Sequence, residues 1–215
     1  MATKTLTNFK SRLSGGGARP NLFEANITFP NGISWEQGAQ EDFQFLCKAT
    51  SMPTQTIGSV EIPFRGRILK VAGDRTFEPW SVTVINDEDF SIRKSFEKWA
   101  ETINNLTTGV GDVDPSSYMG TGEIRQLSRS TKRGATTTAG DVDNLKAGNS
   151  KVIHEYFIEE IWPSEIGSID LSYESSDAVE EFTVTFQVQY FTSKGVSNPQ
   201  DNSKTLQVGN DGTEN

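Results

Sequence analysis

Carboxylates are the side chains of this sequence that are best suited to acid–base chemistry. Glu159-Glu160 and Glu180-Glu181 form two adjacent pairs in stretches that favour strands. Because neighbouring residues of a strand point to opposite faces, neither doublet is a catalytic pair by itself. A pair assembled across two strands stays open as an alternative. The single histidine, His154, has Val and Tyr neighbours on its strand face, which favours packing over catalysis.

Four oxygen-bearing residues share the spacing of a calcium-binding loop. Asp112, Asp114, Ser116 and Glu123 fall at its first, third, fifth and twelfth positions. The sixth position needs Gly for a sharp turn, but Ser117 occupies it, and the pattern predicts no flanking helices. The spacing therefore does not predict a metal site.

The low number of cysteine and histidine residues excludes several classes of site. The chain has one Cys and one His, too few for an intramolecular disulfide, a cysteine-based zinc site or most Ser–His chemistry. Cys47 falls in phase with apolar residues, which predicts a buried thiol rather than a nucleophile. We expect no enzymatic activity, no cofactor and no metal.

The net charge of −9 is unevenly distributed along the 215 residues. Residues 1–151 carry 18 basic and 17 acidic groups, whereas residues 152–193 carry nine acids and no Lys or Arg. Acidic strands repel phosphate, so a conventional DNA-binding module is disfavoured. Taken alone, the acidic segment is most simply interpreted as solubilising charge.

Residues 1–21 are predicted to be a mobile N-terminal arm. Gly15-Gly16-Gly17 offers no side chains to pack and costs much backbone entropy to order. Phe9 and Leu13 are four residues apart, so a short helix is expected to form and dock on binding. The arm has no apolar block of a secretory signal.

The rest of the chain is predicted to be a single domain over 22–192, followed by a flexible tail over 193–215. The tail is polar and has no apolar run. Within the domain, residues 104–150 are poor in apolar groups and are expected to form a long loop. No apolar run in the chain approaches the roughly 20 residues needed to cross a bilayer, so we expect no membrane insertion.

Alternation of apolar and polar residues predicts strands over 23–29, 43–49 and 80–84. Four residues share the apolar face of the second strand: Phe43, Phe45, Cys47 and Ala49. Between the second and third strands, residues 51–75 are predicted to form an extended hairpin that reaches away from the core. Its tight turn is expected at Arg65-Gly66-Arg67.

A helix is predicted after the capping residues 86–89. Its apolar residues follow at helical spacing: Ile92, Phe96, Trp99 and Ile103. This is the one convincing helix in the pattern. In the loop that follows, Ile124 and Leu127 mark a short strand.

The second half of the domain is predicted to consist of strands. In the first strand, the alternation is clear over 152–158 and the strand is expected to stop at Trp162-Pro163. The second strand is expected to begin within 169–173, and the third covers 182–190. Residues 182–191 lack the Lys and Pro that protect strand edges, which predicts that these edges meet protein. The fold is therefore predicted to be mainly β: an antiparallel β-sandwich or barrel with one flanking α-helix, long loops, an extended N-terminal arm and a hairpin.

Four stretches carry a resemblance to a known family: 18–23, 47–50 with Pro53, 71–77 with 80–87, and 161–163 with Gly167. Their order and spacing match over residues 18–191. In these stretches the chain resembles the tail tube proteins of T-even-like contractile-tailed bacteriophages. It departs from the family pattern in four places: the longer arm before Ala18, extra residues around 31–41, the expanded loop 104–150 and the tail after 191.

The resemblance implies a structural subunit that forms homo-hexameric rings, stacked into a hollow tube in the virion tail. Such a tube lies inside a contractile sheath, between a baseplate and a tail terminator protein, and is assembled in the host cytoplasm. It encloses a tape measure protein and conducts genomic DNA without sequence-specific binding. An acidic lumen wall that DNA does not stick to would explain the charge of residues 152–193.

The resemblance and the pattern together suggest two sets of functional residues. Six residues are expected to make inter-subunit contacts: Arg19, Phe23, Arg65, Arg67, Asp74 and Arg75. Three acids are expected to face the lumen: Asp170, Glu174 and Glu181. For Gly73-Asp74-Arg75, the alternative is a turn with a local ion pair.

Two other functions remain as alternatives. An inner tube of a phage-like contractile injection or secretion system would share the fold and carry protein effectors. A carbohydrate-binding or hydrolytic β-sandwich would instead need an aromatic-lined cleft with paired carboxylates.

Overall fold

The structure is a computed structural model that describes residues 5–12, 17–128, 152–174 and 178–193. Its helices are α1 (Leu6–Arg12), α2 (Ala39–Leu46), α3 (Ser91–Ile103) and α4 (Pro115–Tyr118). Its strands are β1 (Phe23–Thr28), β2 (Cys47–Thr50), β3 (Gln55–Phe64), β4 (Arg67–Phe77), β5 (Trp80–Ile85), β6 (Gly120–Leu127), β7 (Val152–Ile166), β8 (Glu181–Gln187) and β9 (Tyr190–Ser193).

Seven of the described strands form one antiparallel sheet, and β3 and β4 form a separate hairpin. The sheet order is β1-β6-β7-β8-β5-β2, and β9 also pairs with β7. The prediction of a mainly antiparallel β fold is therefore confirmed. Among the described strands, β1 and β2 end the six-strand path, and β9, which pairs with β7 alone, is a third edge strand.

The long strand β7 joins the two halves of the sheet. It pairs with β6 and β9 along its first part and with β8 from Trp162 onward. Glu160 lies at the register shift between Ile158 and Ile161, just before pairing passes to β8. Its φ of 54° is a left-handed conformation that bends the strand. The prediction that Trp162-Pro163 ends the strand is wrong. A register shift between Pro163 and Glu165 accommodates the missing proline N–H, so pairing continues to Ile166.

The core lies between the sheet and two helices, α2 and α3. Apolar residues of β1, β5, β6, β7 and β8 are buried there together with the predicted helix face of Ile92, Phe96 and Trp99. Asp87 caps α3, because its carboxylate accepts hydrogen bonds from the backbone N–H of Ser91 at 3.1 and 3.3 Å. The predicted helix is confirmed, but of the predicted capping residues only Asp87 binds its first N–H, and the N-cap position is Phe90 in a left-handed conformation.

The predicted strand over 43–49 is wrong in its first half, because α2 occupies residues 39–46. A helix turns by about 200° over two residues, so Phe43 and Phe45 face different ways. Phe43 is fully buried, whereas Phe45 is 86% exposed. Over so short a segment, alternation does not distinguish a strand from a helix. Cys47 begins β2 and is buried, as predicted.

Two predictions for the second half of the domain need correction. Residues 169–173 form no strand. Leu171 is largely exposed and Tyr173 is fully exposed. The alternation over 182–190 is interrupted after Gln187, where the chain passes from β8 to β9. Since β8 lies between β5 and β7, its edges meet this chain itself rather than another protein.

The remaining predictions concern the arm, the loop and the tail. The short helix predicted in the arm is α1, and the strand at Ile124 and Leu127 is β6. The segments 129–151 and 194–215, which contain most of the predicted loop and tail, lie outside the described residues.

Candidate assembly surfaces

The β3–β4 hairpin is the most exposed part of the described structure. All ten residues of β3 are exposed, and the two strands pair from Gln55–Phe77 to Phe64–Arg67. Arg65 and Gly66 connect them with φ values of 45° and 82°. Positive φ at both residues is typical of the two-residue turn whose twist matches a hairpin. The predicted extended hairpin and its turn are confirmed.

The hairpin has one apolar face that nothing in the described residues covers. In an antiparallel pair, directly opposed residues share a face, and the register pairs Val60 with Val71 and Ile62 with Leu69. We call the following five residues the hairpin apolar face: Val60, Ile62, Phe64, Leu69 and Val71. They are between 39% and 67% exposed. A contiguous exposed apolar surface of this kind marks a contact with another protein.

The opposite face of the hairpin is mostly polar. Ser59 and Ala72 pair there, and Glu61 pairs with Lys70, whose Nζ lies 3.0 Å from the glutamate Oε1. Three larger apolar residues also lie on this face: Ile57, Pro63 and Ile68, of which Ile57 is 53% and Ile68 60% exposed. The hairpin is therefore amphipathic without being packed on its own subunit.

Asp74 and Arg75 lie at the base of the hairpin on β4. The register shifts there between Ile57 and Ser59. Asp74 and Arg75 are exposed, and neither has an ion-pair partner among the described residues. This segment therefore does not form the local ion pair that was the alternative.

The predicted contact residues fall into two groups. Arg65 lies in the hairpin turn with its guanidinium carbon 5.5 Å from the centre of the Phe64 ring, and Arg67 begins β4 in an exposed position. These two residues share the hairpin with Asp74 and Arg75.

Arg19 and Phe23 form the second group, at the base of the arm. The carbonyl of Arg19 accepts hydrogen bonds from Gln126 Nε2 at 2.7 Å and from the Leu22 N–H at 3.2 Å. Phe23 is half-buried, pairs with Gln126 and packs against the core. These contacts attach the arm to the beginning of β1.

The face of β5 and β8 that points away from the core is lined with hydroxyl groups. Thr83 lies opposite Thr183 with their Oγ1 atoms 3.2 Å apart, and Ser81 lies opposite Thr185 with 3.3 Å between their hydroxyls. These cross-strand hydrogen bonds make a polar surface of low charge density.

The three acids predicted to face a lumen lie in two different places. Glu181 begins β8 on the hydroxyl-lined side and forms an ion pair with Lys48 of β2. Asp170 and Glu174 lie on the exposed segment 167–174, without ion-pair partners among the described residues. The structure does not bring Asp170 and Glu174 onto the strand face that carries Glu181.

Sequence reasoning missed a charged cluster on β6 and β7. Arg125 Nη2 lies 2.7 Å from Glu123 Oε1, and its Nε lies 2.9 Å from Glu155 Oε1. Glu155 is 6% exposed although it belongs to the acidic segment. The signal was weak, because Glu155 follows Arg125 by 30 residues and only strand pairing brings them together.

Burial and hydrogen bonding shift the pKa values of this cluster. Desolvation and a hydrogen bond with Glu155 raise the pKa of Glu123, against the attraction of Arg125. Desolvation lowers the pKa of Arg125, but the two carboxylates outweigh that effect and raise it overall. Glu155 therefore contributes little free negative charge to the surface.

The residues considered for catalysis are placed as packing or capping groups. Burial raises the pKa of the Cys47 thiol to about 11, which keeps it protonated and unreactive. His154 packs edge-on against Tyr156, with 4.6 Å between the ring centres. Asp114 caps α4 through the N–H of Ser116.

The described part of the chain has neither a cluster of metal-binding side chains nor a membrane-spanning helix. It has no group of three or more His, Cys, Asp or Glu side chains that could hold a metal ion. In the same residues, no helix is long and apolar enough to span a bilayer. Glu123, the last residue of the calcium-like spacing, is engaged with Arg125.

Residues 18–194 match the family described as phage tail tube protein. This chain belongs to that family. It is 30% identical over 178 residues to the tail tube protein gp19 of Enterobacteria phage T4, covering 83% of this chain and 93% of the phage T4 protein. The corresponding protein of Enterobacteria phage T6 is 29% identical over the same coverage. The resemblance stated from the four sequence stretches is confirmed, and the relatives are structural proteins of phage tails.

Solved structures with the same fold include tubes of contractile systems other than phages. The sheath–tube complex of an extracellular contractile injection system, PVC, in the extended state has a TM-score of 0.55 at 7% identity, covering 86% of this chain and 96% of that one. The baseplate of the anti-feeding prophage has a TM-score of 0.51 at 12% identity, covering 85% and 98%. At these identities the likeness shows the tail tube fold alone.

Proposed function

We propose that this chain forms hexameric rings that stack into the inner tube of a contractile phage tail, and that the tube conducts genomic DNA into the host. The observation that carries the proposal is the hairpin apolar face. An isolated two-stranded hairpin is at best marginally stable in water. The hairpin spans 23 residues from Gln55 to Phe77, counting the turn, and it gains its packing when the apolar face rests on a second copy of the chain.

Ring closure is proposed to use the edge strands β1 and β2, which end the six-strand path of the sheet. β1 and β2 each present an unpaired edge among the described residues. The sequence of β1, Phe23–Thr28, contains neither Lys nor Pro, the residues that usually discourage edge pairing. An unlike pair of edges on each subunit gives a head-to-tail contact, which closes into a ring when the rotation per subunit is correct.

The residues at the base of the hairpin are proposed to contact the adjoining subunit. Asp74 and Arg75 have no ion-pair partner within the described part of their own chain, so they are available for charge-assisted hydrogen bonds to a neighbour. Arg75→Ala is expected to leave the monomer folded and to impair tube formation. Lys70→Ala, which removes one exposed ion pair on the polar hairpin face, is the matched control and is expected to have little effect.

The bore is proposed to be polar and acidic. The hydroxyl-lined face of β5 and β8 is suited to a wall that DNA does not adhere to, and exposed acids such as Asp170 and Glu174 add repulsion. Glu181 adds less, because Lys48 neutralises it locally. Repulsion from all sides keeps DNA centred and prevents phosphate contacts that would have to be broken during passage.

Three of the partners proposed for the tube, a sheath, a baseplate and a terminator, are parts of the assemblies from which its structural neighbours come, and the tape measure protein is proposed from the family resemblance alone. We propose a contractile sheath around it, a baseplate at one end, a terminator at the other and a tape measure protein inside before ejection. The protein accordingly belongs in the virion tail. An injection-system tube carrying protein effectors is the second candidate, because the sheath–tube complex described above shares the fold.

Negative-stain electron microscopy of the concentrated full-length protein tests the proposal. Stacked rings or tubes with sixfold averages are expected. Monomers at high concentration in the presence of a seeding tail fragment would contradict it. Isolated particles then distinguish the two candidates, since a phage tube ends in a DNA-filled capsid and an injection-system tube contains protein.

A further inference from the structure

Helix α1 carries an apolar pair that the described part of the chain leaves uncovered. Leu6 and Phe9 are three residues apart, so they lie on one side of the helix, and they are 68% and 61% exposed. The arm that contains them, residues 1–21, has four basic residues and no acid. A basic helix with an apolar side is suited to dock on an acidic surface that has an apolar floor.

A groove with that chemistry lies where β1 leads into α2. Its cavity volume is about 570 Å³, and its least exposed lining residues are Phe29, Ile33 and Trp35. The Trp35 indole stacks on the Phe29 ring at 4.2 Å between centres, which makes a rigid apolar floor. A volume of this size accommodates one or two large side chains of a partner helix.

The rim of the groove is acidic. Glu36 and Glu41 belong to its lining. Glu36 lies 3.6 Å from Lys98 Nζ, whereas Glu41 is exposed and has no ion-pair partner among the described residues. The rim therefore complements the charge of the arm, which is exclusively basic.

We propose that α1 of one subunit docks in this groove on a second copy of the chain, with Leu6 and Phe9 on the Trp35 floor. The arm then acts as a strap between successive rings. The proposal rests on the proposed tube and adds a specific contact to it. Residues 1–17, and with them α1, lie outside the family match, which begins at residue 18. The strap is therefore an addition of this chain to the matched domain, whereas the groove lies within the match.

The geometry indicates that the groove into which α1 docks belongs to a neighbouring copy and not to the same chain. The arm is attached at the first end of β1, where Gln126 binds the Arg19 carbonyl. The groove begins at the C-terminal end of β1, at Thr28 and Phe29. A six-residue strand separates these ends by roughly 20 Å, so α1 would reach the groove of its own chain only if the chain from Arg12 to Arg19 were almost fully extended. Head-to-tail stacking brings unlike ends of two subunits together, as this contact requires.

Disulfide trapping between differently tagged chains tests the docking. One chain carries Lys10→Cys and the other Gln37→Cys, both at exposed positions. Cys47 stays in place, because its buried thiol with a pKa of about 11 does not exchange. Tubes assembled from the mixture are expected to give a cross-linked heterodimer. Tubes that form without it would overturn the docking and leave the tube proposal intact, whereas wild-type protein that forms no tubes counts against the tube proposal.

Three control variants make the result specific. Thr83→Cys in place of Gln37→Cys puts the thiol on the hydroxyl-lined sheet face and is expected to give no heterodimer. Leu6→Ser with Phe9→Ser, in the Lys10→Cys chain, is expected to reduce the yield severalfold. A further variant carries both cysteines in one chain. If it forms an internal disulfide whose yield is not lowered by excess wild-type chains, α1 docks on its own subunit and the proposal is overturned.

Charge and arm length provide independent readouts. Glu41→Lys is expected to lower the cross-linking yield most at low salt, since screening weakens the repulsion at high salt. Glu88→Lys, an exposed acid near the start of α3, is the matched control. Deletion of residues 1–17 is expected to shorten tubes while leaving single rings, and tubes of undiminished length after the deletion would contradict the strap.

Discussion

The indole of Trp80 on β5 lies over Gly122 on β6, so close that a Cβ on the glycine would be 2.7 Å from a ring carbon of the tryptophan. The two residues are about 40 positions apart and belong to strands that are not neighbours in the sheet. Their contact joins the two halves of the bent sheet. The Trp80 Nε1–H donates to Thr50 Oγ1 at 2.8 Å, which holds the ring in place.

Gly122→Ala is therefore expected to destabilise the subunit. The added methyl group meets a buried ring that is hydrogen-bonded and cannot move freely, so overpacking should cost about 1–3 kcal/mol in the free energy of unfolding. Urea denaturation at a concentration that keeps the protein monomeric measures this cost. Trp80→Phe in the same chain provides the control, because a smaller ring should relieve part of the penalty. An alanine variant as stable as wild type would contradict the close approach.

Leu69→Ser is expected to prevent tube assembly without unfolding the subunit. Leu69 is 58% exposed on the hairpin apolar face, so the monomer loses little when it is replaced. Ile68→Ser is the matched control, since Ile68 is its chain neighbour, is 60% exposed and lies on the opposite face. Sedimentation and electron microscopy measure assembly, and circular dichroism measures folding. Equal effects of both variants would argue against a specific apolar contact.

Glu123→Gln is expected to flatten the pH dependence of stability. The pKa of Glu123 is raised above its ordinary value of 4.5, so the folded state binds a proton more tightly than the unfolded state. Its contribution is present below pH 4.5 and is lost as pH rises through the raised folded pKa. Thermal unfolding from pH 4 upward measures this loss. A Gln variant with the wild-type pH dependence would contradict it.

Arg125→Met is expected to have the opposite effect on the same cluster. Without the guanidinium, the carboxylates of Glu123 and Glu155 repel each other, so stability at neutral pH should fall, by about 1–3 kcal/mol because Arg125 is 42% exposed. The loss should diminish as the pH is lowered, because a protonated carboxyl no longer needs the arginine. A loss independent of pH would indicate that Arg125 acts through packing alone.

Charge reversal of the exposed acids tests the acidic bore. Asp170→Lys with Glu174→Lys is expected to permit tube assembly but to slow genome ejection, with the largest delay at low salt, because cations near phosphate bind it. Asp170→Asn with Glu174→Gln separates loss of negative charge from gain of positive charge and should give an intermediate rate. Ejection timed by dye release from virions measures transit. Unchanged rates would place these acids outside the bore.

The β class, the extended hairpin, helix α3 and the buried thiol of Cys47 could be predicted from the sequence, because each depends on local periodicity or on turn chemistry. The pattern at 80–84 predicts a strand with one buried face, and β5 has that face. Arg65-Gly66 marks a turn because Gly tolerates positive φ. Family membership was also readable, since four motifs occur in order.

Tertiary structure decided what local pattern could not. Phe43 and Phe45 suit a strand or a helix equally well by alternation, and packing of Phe43 against Trp35 and Phe96 accompanies the helix. The role of Glu155 depended on Arg125, which only strand pairing brings within 2.9 Å. The low strand propensity of proline predicted that the strand would end at Pro163. In the structure, a register shift in β7 allows the strand to continue past it. Each outcome depends on contacts between residues distant in sequence, whose energies exceed the small local preferences that a single segment expresses.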